Sequence, residues 1–241
     1  LFAGFLLAVA NNPLIIKVSA KLGRSPSSLS MKLCNIASLD SIHQTRGIKG
    51  LKNASKGDEE IWQKFNSNWQ EMGLLSEEKF LALNIEENND QNLIESKDLR
   101  ETDDGKITEF ETTVKIRRGQ NFFRKTVLSA YNNSCCISKN PIPDFLIASH
   151  ILPWKSNPEN RLNPHNGLCL ARTQDVAFDQ GFITLDDHYC LIISSSLKKF
   201  LPNQSLEYNF LQYEHKQINL PEKFYPSLNF LKYHRENIFN P

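Results

Sequence analysis

The sequence predicts an α+β protein in which a helical N-terminal domain precedes a mixed domain. Three observations predict it. Apolar residues recur at helical spacing over 1–84, an acidic stretch covers 85–105, and strand-like and helix-like segments alternate over 106–241. At 241 residues the chain is long enough for two domains, each with its own core.

The elements follow in order. Leu1–Ala10 is strongly apolar. It reads either as the hydrophobic stretch of a signal peptide, with Ala8-Val9-Ala10 resembling a cleavage site, or as a core helix. The lack of basic residues before it favours the helix, and ten residues are too few to span a bilayer. Leu14–Leu22 and Pro26–Ala37 carry apolar residues on one helical face, with Gly23-Arg24 as the turn between them. Ser25 is an expected N-cap, followed by proline in the first helical position. The pair reads as a helix-turn-helix-like unit with Ser27, Ser28 and Lys32 exposed on its second helix, although many helical hairpins share this pattern. Residues 41–57 read as loop, where Arg46, Lys49 and Lys52 add positive charge. Helical spacing resumes over Asp58–Phe65 and Glu77–Leu83, with the carboxylate of Asp58 suited to a helix start.

From Glu86 to Asp104 there are eight acidic residues and two basic ones, with few large apolar groups. Such a stretch cannot bury a core and reads as an exposed linker. Residues 106–241 form the expected second domain. Gln120–Tyr131 predicts a helix with Phe122, Phe123, Val127 and Leu128 on one side, and Leu146–Leu152 predicts a strand. Asn166–Phe178 predicts a second helix. Phe182–Leu185 and Tyr189–Ile193 flank Asp186-Asp187-His188 as a hairpin. The aromatic and proline-rich C-terminal segment is expected to wrap this domain.

Composition narrows the function. A net charge of +1 excludes a polycation, so any nucleic-acid contact must rest on local basic patches. None of the five cysteines sits in a C-x-x-C pair, which argues against a zinc knuckle and a thioredoxin-like site. They read as reduced thiols of a cytoplasmic protein.

The chemistry concentrates between residues 114 and 193. In order come Arg118-Gly119-Gln120 with Phe123-Arg124, Cys135-Cys136-Ile137, and Ala148-Ser149-His150-Ile151 before Pro153-Trp154. Arg161-Leu162-Asn163-Pro164, Asn166-Gly167-Leu168-Cys169-Leu170 and Ala177-Phe178-Asp179 with Gly181 follow. Together these motifs resemble the HNH, or ββα-metal, endonucleases, in a bacterial branch similar to restriction endonucleases. The resemblance implies a ββα-metal domain that hydrolyses DNA phosphodiester bonds.

By that resemblance His150 is the general base, since an imidazole titrates near neutral pH. Asn166 would fix the orientation of the His150 ring through a side-chain or backbone hydrogen bond. A divalent cation, Mg²⁺ or else Mn²⁺, would offset charge on the phosphate. The metal positions fall on Asp175, Ser149 and Gln174. Here the sequence departs from the pattern: Asp175 stands where histidine is usual, Gln174 is neutral, and Ser149 replaces a common carboxylate. The second reading is therefore a DNA-binding protein that keeps the scaffold with weak or lost catalysis.

Lys115–Lys125 carries five positive side chains and no acid. Arg117, Arg118 and Arg124, together with Lys155 and Arg161 in the loop after His150, are the expected phosphate contacts. The expected partner is double-stranded DNA, and cutting both strands of a palindrome would call for a homodimer.

Overall fold

A computed structural model describes residues 10–40, 54–83 and 108–241, with side chains from Gly119 onward in the last of these segments. The apolar opening up to Val9, the basic loop residues Arg46, Lys49 and Lys52, and the acidic linker 85–105 lie outside the described residues. The chain divides into two compact units, Leu1–Phe122 and Phe123–Pro241.

The first unit is helical among its described residues. Helix α1 (Pro13–Lys21) is capped by Asn12, and α2 (Pro26–Ala37) by Ser25, whose side chain accepts from the Ser28 amide. Gly23 turns the chain between them at φ +62°, a conformation that costs glycine little. Helix α3 (Lys56–Ser67) begins before Asp58, because Ser55 is the cap and Asp58 completes a reciprocal capping box at the third position. Buried Asp58 also takes an ion pair from Lys32 at 2.7 Å. Hydrogen bonds from Lys32 and Ser55 hold its carboxyl below the usual range. Lys32 is exposed, as expected, but its ammonium is committed to this cap. Helix α4 (Trp69–Ala82) includes residues that the sequence left unassigned, and Asn68 caps it. The ring of Phe122 lies against Gly73, where a Cβ would come within 2.7 Å. Helix α5 (Thr108–Ala130) contains the division between the two units.

The second unit holds two small antiparallel sheets. Strand β1 (Leu146–His150) pairs with β2 (Gly167–Ala171) so that His150 faces Gly167 and Leu146 faces Ala171. This corrects the expected helix from Asn166: residues 167–171 are strand, and helix α6 (Arg172–Asp179) starts only afterwards. All five residues of β2 are buried. A strand covered on both faces loses the polar–apolar alternation that identifies strands in sequence. Strands β3 (Ile183–Leu185) and β4 (Leu191–Ile193) form the expected hairpin.

The C-terminal segment adds the short helices α7 (Ser195–Lys198) and α8 (Gln204–Asn209), then α9 (Leu228–Asn237). Helix α9 is fastened by His234, which is 1% exposed and stacks on Phe178 with ring centroids 3.8 Å apart. Its Nε2 lies 3.1 Å from the Phe178 carbonyl and its Nδ1 2.9 Å from the Thr184 hydroxyl. A carbonyl can only accept, so Nε2 carries the proton and Nδ1 accepts from Thr184. Burial lowers the His234 pKa to about 4.

Candidate functional site

The site grows from the end of the β1–β2 ladder. Gly167 stands opposite His150, and the space beside it is already filled. A Cβ there would lie 3.0 Å from Phe123 Cζ and closer still to Val127 Cγ2. Glycine at this position lets α5 press Phe123 and Val127 onto the sheet.

His150 ends β1, half-buried. Its ring stacks on Phe123 with centroids 3.9 Å apart and planes 9° apart. Trp154 meets the same ring edge-on at 5.3 Å. Nε2 lies 3.0 Å from the backbone carbonyl of Arg161. A hydrogen bond to a carbonyl requires a proton on Nε2, so the basic nitrogen of the neutral ring is Nδ1.

Asn166 is 1% exposed. Its Oδ1 accepts from the Leu152 amide at 2.7 Å, and its Nδ2 donates to the Asn160 carbonyl at 3.1 Å. Its own carbonyl accepts from the Ile151 amide at 2.9 Å. The side chain therefore does not bond the His150 ring directly. It closes the loop 152–160, which leads into Arg161, and Arg161 supplies the carbonyl that holds the ring. Asn166 and His150 are thus joined through this loop rather than by a direct side-chain bond.

The positions expected to bind metal differ in burial and partners. Ser149 and His150 are consecutive in an extended strand and so leave opposite faces. Ser149 is 2% exposed, and its Oγ has no hydrogen-bond partner among the described residues. Gln174 is also buried and directs its amide Nε2 to the Asn209 carbonyl at 3.2 Å. Asp175 lies half-buried in the first turn of α6, and Asp179 is exposed at its end. Among the described residues no group of three or more His, Cys, Asp or Glu side chains could hold a metal ion. A hard cation needs several oxygen donors, preferably charged. Mg²⁺ usually keeps several waters and is held by one or two carboxylates together with substrate phosphates, and Asp175 is the one carboxylate in the expected set.

The expected phosphate contacts also separate. Arg124 donates from Nη1 to the Leu146 carbonyl at 2.7 Å and from Nη2 to the Pro143 carbonyl at 3.2 Å, tying α5 to the start of β1. Its guanidinium is built into the scaffold. Arg161 donates from Nε to the Trp154 carbonyl at 2.8 Å and lies over the Trp154 ring at 4.9 Å. Lys155 is exposed. The side chains of Arg117 and Arg118 lie outside the described residues.

Nothing in the sequence signals that Phe123 and Trp154, named there only as an apolar helix residue and within motifs, both meet the ring of His150. His165 is exposed and brings Nδ1 within 2.7 Å of the Tyr225 carbonyl. No local pattern links His165 to a residue so far along the chain.

Residues 135–186 match the HNH endonuclease family. That segment takes in β1, the loop, β2, α6 and β3. None of the curated proteins compared matches the chain.

Proposed function

Proceeding from an HNH domain over residues 135–186, we propose that this chain is an endonuclease that hydrolyses DNA phosphodiester bonds with His150 as general base. The observation that carries the reading is the hydrogen bond from His150 Nε2 to the Arg161 carbonyl. It fixes the tautomer, so Nδ1 has the lone pair that takes a proton from water. As that proton leaves, the water oxygen bonds to phosphorus and the bond to the leaving nucleoside oxygen breaks. Phe123 and Trp154 keep the ring from turning, and Asn166 keeps the loop closed. General base catalysis by a positioned side chain contributes roughly 10²–10⁴-fold.

In this reading β1, β2 and α6 are the ββα-metal element, and double-stranded DNA is the substrate, cut by a homodimer in a restriction-like role. Mg²⁺ or Mn²⁺ is the ion that such chemistry calls for, and Asp175 is the carboxylate that would hold it, although among the described residues no group of three or more His, Cys, Asp or Glu could hold a metal ion. Proton transfer at His150 is the step that this chain's own side chains carry.

A second reading has a specific observation in its favour. Gln174 and Ser149 stand where metal donors are expected, and the Gln174 amide is bonded to Asn209. On that reading the protein binds DNA and cuts it slowly or not at all. Supercoiled plasmid incubated with the protein and Mg²⁺ or Mn²⁺ separates the two. Conversion to open circles supports the nuclease. A gel shift without conversion at any metal concentration supports the second reading.

A further inference from the structure

We infer that Arg161 is a positioning residue for His150 and that its guanidinium works on the protein rather than on a phosphate. The inference deepens the nuclease reading and rests on it for its catalytic consequence. The geometry itself stands apart from that reading.

Arg161 acts at both of its ends. Its backbone carbonyl receives Nε2 of His150 at 3.0 Å. Its side chain folds back along the loop, bonds the Trp154 carbonyl through Nε at 2.8 Å, and lies on the Trp154 indole at 4.9 Å. That indole meets the His150 ring edge-on at 5.3 Å. One residue therefore fixes two contacts to the imidazole: the carbonyl directly, and Trp154 through the clasp. Phe123 supplies another. The bonds of Asn166 to Leu152 and Asn160 also close the loop from Pro153 to Arg161. A loop closed at one point can slide the Arg161 carbonyl away from Nε2. The clasp adds a second closure, seven residues apart in sequence.

A planar guanidinium suits this task. It donates along its edge to a carbonyl while its face lies on an aromatic ring. Lysine keeps the charge but cannot hold both contacts in one fixed geometry. This difference distinguishes a clasp from a phosphate contact, for which the charge is what matters.

The test compares the full chain with Arg161→Met and Arg161→Lys. For a clasp, both variants lose kcat by about tenfold or more, with KM for DNA within about twofold of the parent, and lysine does not rescue. The slope of log affinity against log salt stays at the parent value in both. For a phosphate contact, Arg161→Met lowers that slope by about 0.9 and raises KM, and Arg161→Lys restores both; this result would overturn the inference. Nitrogen NMR of the His150 ring gives a readout that does not depend on catalysis. The parent should show a single tautomer protonated on Nε2, and both variants a mixture. An unchanged tautomer in both variants refutes the clasp even if the protein cuts no DNA. Absence of nicking by the parent, with the NMR change present, refutes the nuclease reading alone.

Discussion

Replacing Gly167 by alanine tests how tightly the sheet, α5 and His150 are joined. The added Cβ would sit 3.0 Å from Phe123 Cζ and closer to Val127 Cγ2, and both side chains are buried, at 2% and 1% exposure. Neither can yield without moving α5 or the strand. Forcing a carbon into a filled core costs about 1–3 kcal/mol. For a unit of this size that is a fall of about 4–15 °C in Tm. Phe123 is also the ring on which His150 stacks, so its displacement should lower kcat along with stability. Calorimetry or urea unfolding measures the first effect and plasmid nicking the second. Val127→Ala removes the nearer obstacle, so the double variant should be destabilised by less than the sum of the two single changes. A Gly167→Ala protein as stable as the parent, or strict additivity with Val127→Ala, would refute the packing argument.

Two further outcomes follow from buried polar groups. Asn166→Ala leaves the Leu152 amide and the Asn160 carbonyl unpaired near a buried site, and should cost about 2–4 kcal/mol in urea unfolding; a loss below about 0.5 kcal/mol would contradict the role given to Asn166. His234 has a folded pKa of about 4 against an ordinary value of 6.5. Between these values the unfolded chain takes up a proton that the folded chain refuses. Its contribution, on the order of 3 kcal/mol, is therefore complete above pH 6.5 and lost progressively as the pH falls towards 4. His234→Gln should flatten the pH dependence of the urea midpoint across this window, and an unchanged pH dependence would contradict it.

Much of the scaffold was legible because its signals are local. Ser25 before Pro26, the apolar run leading to Ser149-His150, and Asp186-Asp187-His188 between two apolar runs each identify an element within a few residues. Strand β2 was not legible. Its burial on both faces produces the run Leu168-Cys169-Leu170, and Asn166-Gly167 ahead of it looks like a helix cap. The same two residues instead close a loop and leave room for Phe123. The site was legible as residue types in order, but not as contacts. Arg124 and Arg161 are expected phosphate contacts from their charge alone, and a sequence does not reveal which carbonyls their guanidiniums also meet. The loop that brings Arg161 back to His150 closes through backbone groups, which every residue carries and no composition marks.

The central claim is that His150, held by the Arg161 carbonyl and the rings of Phe123 and Trp154, takes the proton from the attacking water. Single-turnover cleavage of plasmid by His150→Ala, compared with the parent at matched DNA binding, tests it most directly. The account predicts a rate lower by roughly 10²–10⁴-fold with DNA affinity unchanged. A variant that cuts as fast as the parent would contradict it.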